Sequence, residues 1–501
     1  MKTASSDLFD LIHSLTKSEK RFFKLSPSEA GEMQYMRLFD IIEAQSKYNE
    51  KAALEKLQLN KNTFAVKKKY LHDLILNRMA SLHFSMEASI RTLLTQADFL
   101  YSKGLYAQEK KVLQKAKALA ERSGLKNYLL EILQMEYWLC WKDMELPQAE
   151  ALLKERNEVF SLITNENDLH NAEGQLTLKI SKTGDKTNAL KKEEFSAIIN
   201  SQLLAKESNA LSFDAKQSFY NIFCSYHVVL GDLKKGYFFG KKLVDLFLSE
   251  PEKAKYKAVS FLIALSNLIH LCNELKMYDE EKAYLKILSD NSALLKAEHE
   301  RSWAFFTFNH SSLVYYIRTG KFEEAVPVAE RIQTELLGYE KKLDGMLTIV
   351  LNFKIAQVWY GAGKFSKCLQ LMNRIKGMES SIDARPDLQC AIRIFLLIVH
   401  FEKGNPDLAS RLARSERRIV ASKKNLYRFE SVMLDFFSTV GNKTNQPDPG
   451  KQFKQLKNAI TALEENQQER SIMEEFDFVS WIDSKIEGKT FAEVIRKKAR
   501  T

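Results

Sequence analysis

A short phrase returns along this chain, and its spacing limits the fold more than any other feature. An apolar helical stretch ends at a small residue. An aromatic or leucine follows, and a second stretch opens with an alanine-sized side chain. The clear copies are Gly104-Leu105-Tyr106, Gly231-Asp232-Leu233, Gly320-Lys321-Phe322-Glu323-Glu324-Ala325, Gly363-Lys364-Phe365-Ser366-Lys367-Cys368 and Gly404-Asn405-Pro406-Asp407-Leu408-Ala409. Weaker copies are Met144-Glu145-Leu146-Pro147-Gln148-Ala149 and Lys276-Met277-Tyr278. From Lys276 on, positions 276, 320, 363 and 404 stand 44, 43 and 41 residues apart. A helix pair of that length cannot bury its apolar side alone and must lean on the next pair along.

Composition agrees with an all-α array. A chain of 501 residues exceeds one ordinary compact core, and its 45% apolar share is enough for a continuous one between stacked pairs. It carries only 8 prolines and 18 glycines, and alternating β-branched runs are nearly missing, so little or no sheet is expected. The 75 basic and 64 acidic residues leave a formal charge of +11. That excess permits nucleic acid or an acidic protein as partner without demanding either.

The pattern suggests three regions. Residues 1–85 read as a small helical domain or N-terminal cap. Thr16 and Glu19 are spaced as a capping box, and Ser26-Pro27-Ser28-Glu29 offers another helix start. A short helix over Lys51–Leu57, a turn at Asn60-Lys61-Asn62 and a long helix from Thr63 complete the region. Residues 88–440 read as the repeat array. Its phase is lost near 165–200, where Asn165-Glu166-Asn167-Asp168 and Lys182-Thr183-Gly184-Asp185-Lys186-Thr187-Asn188 read as loops around a degenerate pair. A turn cluster at Pro447-Asp448-Pro449-Gly450 precedes C-terminal capping helices over 451–501, with Phe476, Phe478, Val479, Trp481 and Ile482 suited to covering the final open pair.

The repeated phrase resembles the tetratricopeptide repeat. Around Gly363 stand Ala356 at the small position of the first helix, Trp359 on the following face, Phe365 after the turn and Cys368 at the alanine position. Around Gly320 the matches are Leu313, Tyr316, Phe322 and Ala325; around Gly104 they are Ala97, Leu100, Tyr106 and Glu109. Leu313 and Glu109 exceed the small residues usual there, and the period exceeds the usual length of about 34. The resemblance implies a right-handed superhelical array of about seven or eight helix pairs, the first helix of each lining a concave groove. Its inward positions carried onto this chain are Ser218, Asn221, Ser225, Ser266, His270, Asn273, His310, Arg318, Gln357 and Tyr360. Polar side chains of that kind can pair the backbone groups of an extended peptide.

Other chemistry is poorly represented. Gly236-Tyr237-Phe238-Phe239-Gly240-Lys241-Lys242 is one residue short of a phosphate loop and lacks the following Ser or Thr, so close helix packing is the simpler account. No His-x-x-x-His, Cys-x-x-Cys or nucleophile elbow occurs. No catalytic residue, metal or cofactor is expected. Two basic clusters remain: Lys61, Lys67, Lys68 and Lys69 in a helix-turn-helix-like stretch, and Arg411, Arg414 and Arg418 on one helical face. The scattered cysteines, the absence of a leader-like apolar block and the lack of a membrane span lead us to expect a cytoplasmic protein. The leading expectation is a non-enzymatic adaptor that binds a protein segment or peptide. The alternative is a nucleic-acid-associated regulator that uses the basic clusters.

Overall fold

The computed structural model describes residues 6–25, 33–82, 86–142, 144–183, 188–295, 297–339, 342–378, 385–421, 427–440 and 449–500. Among these no strand occurs, and the fold is all-α. The chain divides into two compact units, residues 1–160 and 161–501.

The first unit opens with five helices, α1 (Asp7–Ser14), α2 (Lys17–Leu25), α3 (Met33–Glu43), α4 (Glu50–Leu57) and α5 (Lys61–Leu82). They enclose a core of their own that includes Leu8, Phe23, Phe39, Phe64 and Ile75. The capping box forms: Thr16 N–H donates to Glu19 Oε2 at 2.6 Å, and Glu19 N–H to Thr16 Oγ1 at 3.3 Å. The start expected at Ser26-Pro27-Ser28-Glu29 lies outside the described residues. Helix α5 begins two residues earlier than Thr63 because Asn60 caps it, accepting from Thr63 N–H at 2.8 Å. A second core, with Ile90, Ala97, Leu113, Ala116 and Ile132, lies among α6 (Met86–Ser102), α7 (Tyr106–Ser123) and α8 (Lys126–Lys142).

Helix α9 (Leu146–Thr183) runs unbroken where a loop at Asn165-Glu166-Asn167-Asp168 is expected. These polar residues are helical because their side chains pin another segment. Asn165 Nδ2 donates to the Asn209 carbonyl at 2.9 Å, and its Oδ1 accepts from Leu211 N–H at 3.0 Å. Glu166 accepts from the Ser212 hydroxyl. Of the second expected loop, residues 184–187 lie outside the described residues, Lys182 and Thr183 end α9, and Asn188 opens α10 (Asn188–Ile199).

Paired helices then follow in order: α11 (Phe213–Val229) with α12 (Leu233–Ser249), a short α13 (Pro251–Tyr256), α14 (Ala258–Glu274) with α15 (Tyr278–Asn291), and α16 (Glu298–Thr319) with α17 (Phe322–Leu336). After them come α18 (Gly345–Gly361) with α19 (Phe365–Lys376), α20 (Pro386–Glu402) with α21 (Pro406–Ala421), and α22 (Arg428–Val440). The chain closes with α23 (Pro449–Thr461), α24 (Gln467–Glu475), α25 (Phe478–Glu487) and α26 (Phe491–Arg500).

One turn design repeats through both units. Gly104, Met144, Gly231, Lys276, Gly320, Gly363 and Gly404 all have left-handed backbone, with φ between 57° and 83°. In each case the next N–H reaches back five residues to a carbonyl, as from Leu105 to Leu100 and from Lys364 to Trp359, at 2.8–3.0 Å. This is the Schellman ending, which satisfies carbonyls that a helix terminus leaves open. Five residues past each turn lies a buried contact position: Glu109, Ala149, Gly236, Glu281, Ala325, Cys368 and Ala409. A side chain there points at the preceding helix, which explains the small residues at five of the seven. At Gly236 a Cβ would stand 2.7 Å from Val228 Cγ2, so this glycine serves helix packing.

The C-terminal helices are more than an end cap. Phe476, Phe478, Trp481, Phe491 and Ile495 share one continuous core with Leu313, Phe353, Tyr360, Phe395 and Phe437. Arg496 Nε donates to the Gly320 carbonyl at 2.9 Å.

Candidate functional site

The first helices of successive pairs present one register of residues, spaced four, then three, then four apart. On α14 this stripe is Val259, Ile263, Ser266 and His270, a single helical face. Val259, Ile263 and His270 are exposed and Ser266 half-buried. On α11 the stripe is Ser218, Asn221 and Ser225. Ser218 is buried and donates to Glu173 Oε2 at 2.6 Å, Asn221 is half-buried and Ser225 exposed.

The expected groove residues therefore divide. Asn273 is buried and turned into the pair, where its Nδ2 lies 3.2 and 3.3 Å from the two carboxylate oxygens of Glu281. Arg318 stands exposed at the end of α16, with Nη2 3.7 Å from Glu274 Oε1 on α14. His310 stacks on Phe306 at 5.4 Å between ring centroids. Burial, reinforced by the neighbouring Lys354 and His270, pushes its imidazole down to about 3, so it is neutral at physiological pH.

Gln357 and Tyr360 lie beneath the C-terminal helices. The Glu475 carbonyl accepts from Lys354 Nζ at 3.0 Å and from Gln357 Nε2 at 2.9 Å. The Glu475 carboxylate accepts from Arg385 Nη2 at 2.8 Å and stands 3.7 Å from Lys354 Nζ. Burial pulls the Lys354 ammonium below its usual range and Glu475 opposes that pull. Tyr360 packs edge-on to Phe395, Phe476 and Phe491. Further along, Glu402 accepts from Trp481 Nε1 at 2.7 Å and from Lys485 Nζ at 2.6 Å. Glu469 accepts the first N–H groups of α22, from Arg428 and Phe429, both at 2.9 Å. The face over α16, α18 and α20 thus holds a polypeptide, and that polypeptide is its own chain.

The basic clusters separate similarly. Lys67 donates to Gln34, and Lys68 lies 3.3 Å from the Tyr48 hydroxyl and 3.5 Å from Glu50, while Lys61 and Lys69 are exposed. Arg414 donates to Ser410 Oγ at 2.8 Å, Arg417 pairs with Asp435, and Arg411 and Arg418 are exposed.

One set of residues escaped the sequence reading. In the first unit the position six residues before the turn, that of His270, falls on Trp138 of α8, and the position three before it, that of Asn273, falls on Trp141 of α8 and Tyr101 of α6; all three are more than half exposed. Counting back from Gly104 and Met144, as for the later pairs, finds them. Among the described residues no group of His, Cys, Asp and Glu is placed to hold a metal ion, and no helix is long and apolar enough to cross a membrane. No protein family matches this chain, and no curated protein matches it.

Proposed function

We propose that the chain is a non-enzymatic adaptor that binds an extended segment of a protein partner on the first-helix face of α11 and α14. In this reading the pairs form a right-handed superhelical array of the tetratricopeptide kind, and the protein works in the cytoplasm. The observation that carries it is the neighbouring stretch of the same face. There Lys354 and Gln357 hold a main-chain carbonyl, the interaction that an extended ligand needs. The stretch over α11 and α14 offers donors of the same type in Asn221, Ser225, Ser266 and His270. Val259 and Ile263 stand beside them as apolar anchors.

Lys67 and Lys68 have partners within their own bundle, which weakens the nucleic-acid alternative. Selection from a displayed peptide library on the full chain tests the adaptor reading. Peptides enriched on the wild type and lost on a Val259→Asp/Ile263→Asp variant support it. Equal enrichment on both chains removes it. Retention on nucleic acid that falls steeply with salt would favour the alternative instead.

A further inference from the structure

The contact position five residues past the turn holds Ala149, Gly236, Ala325, Cys368 or Ala409 in five pairs. In the pair α14–α15 it holds Glu281, which is 1% exposed. A carboxyl group occupies the place where those five pairs put at most a thiol or a methyl. Its hydrogen-bond partner is Asn273, through one amide nitrogen shared between both carboxylate oxygens at 3.2 and 3.3 Å. That amide nitrogen can donate to the acid or to the carboxylate, so it is the burial of the carboxyl between two helices that disfavours the charge. A buried carboxylate also needs a cation. Arg318 on α16 supplies a positive charge that acts on Glu281, and its Nη2 stands 3.7 Å from Glu274 Oε1 on α14.

We propose that Glu281 is a proton-controlled spacer. As the acid it lets α15 close on α14, and as the carboxylate it draws Arg318 away from Glu274 and loosens the junction of α14, α15 and α16. On ionisation the proton leaves to solvent and the Arg318 guanidinium turns inward. The groups that act on the carboxyl are Asn273, Glu274 and Cys272 from α14, Arg318 from α16, and Tyr278 from α15 itself. Burial pushes the Glu281 carboxyl up to about 7; Asn273 and Arg318 oppose the rise and Glu274 adds to it. The change therefore falls in the physiological range. A raised carboxyl contributes stability that is complete below its unfolded value of 4.5 and is lost as pH climbs to about 7.

Glu109 is the other carboxyl at this register. It is buried in the pair α6–α7, and its Oε2 has no hydrogen-bond partner among the described residues. Burial raises it too, with Asp98 adding and Lys142 opposing. It has neither an amide partner nor an arginine equivalent to Arg318 among the causes of its shift, so it serves as the internal control.

Two measurements on the full chain test the spacer, and neither needs a partner. First, the melting temperature of the wild type should fall by about 3–5 °C more than that of Glu281→Gln between pH 5 and pH 8. Glu281→Ala should behave like Glu281→Gln, and Glu109→Gln should leave the Glu281-dependent difference in place. Second, hydrogen exchange in residues 273–281 and 313–319 of the wild type should quicken at pH 8 beyond the intrinsic base-catalysed rate, and should not do so in Glu281→Gln. Equal pH slopes in wild type and Glu281→Gln, or exchange that follows the intrinsic rate alone, would overturn the proposal.

Discussion

Over α16, α18 and α20 the first-helix face lies beneath α24 to α26, while over α11 and α14 the same register stands partly in solvent. In the covered stretch Lys354 and Gln357 end on the Glu475 carbonyl, and Tyr360 packs among Phe395, Phe476 and Phe491. In the open stretch Asn221, Ser225, Ser266 and His270 sit beside the exposed Val259 and Ile263. Polar residues on an apolar helix thus mean two things in one molecule. A buried polar group must find a partner, and in the covered stretch the chain supplies that partner itself. The contrast also separates stability from binding: changes in the covered stretch should unfold, and changes in the open stretch should not.

The largest effect is expected at Trp481, fully buried against Phe437 and donating to Glu402. Trp481→Ala should lower stability by about 3–5 kcal/mol in urea titration of the full chain. A loss under about 1 kcal/mol would mean that the C-terminal helices are not part of the core, and the comparison would fail. Gly361→Ala should come next. Its new methyl would lie 2.2 Å from the Phe322 ring, an overlap that costs about 1–3 kcal/mol.

Two turn glycines sharpen the contrast. Gly320 and Gly363 share the left-handed backbone, but a Cβ at Gly320 would meet Arg496 Cγ at 2.6 Å, whereas at Gly363 nothing lies within 4 Å. Gly363→Ala should cost roughly 1–2 kcal/mol from the backbone alone. Gly320→Ala should cost more, and equal losses would argue against the seat of α26 on the α16 turn. The smallest effect belongs to the open stretch. Val259→Ser and Ile263→Ser should each change stability by less than about 0.5 kcal/mol. A larger loss in thermal melts would show that this stretch is covered as well.

Local rules were readable in the sequence. All seven copies of the phrase end in the left-handed turn, including those where Met144 and Lys276 replace glycine. The reason is that the turn is fixed by neighbours in sequence: a helix end, its carbonyls and the next N–H. The Thr16–Glu19 capping box was legible for the same cause. What stayed hidden depends on distant partners. Asn165 and Glu166 look like loop formers until Asn209, Leu211 and Ser212 arrive to bond them. An amphipathic helix such as α26 declares that it has an apolar side, not which surface that side will meet. Gln357 donates to the carbonyl of Glu475, which lies 118 residues away and which no local pattern names. Nor does any local signal mark Glu281, since a glutamate near a helix start is ordinary.

The seating of α26 also sets an order of events at birth. Gly320 leaves the ribosome 176 residues before the arginine that its carbonyl will bind. At ordinary elongation rates of about 5–20 residues per second, that is roughly nine to thirty-five seconds, and Tyr360 waits about seven to twenty-six seconds for Phe491 to cover it. A nascent chain in that interval displays an oily aromatic surface to the crowded cell, so this protein should lean on holding chaperones during synthesis and much less once released.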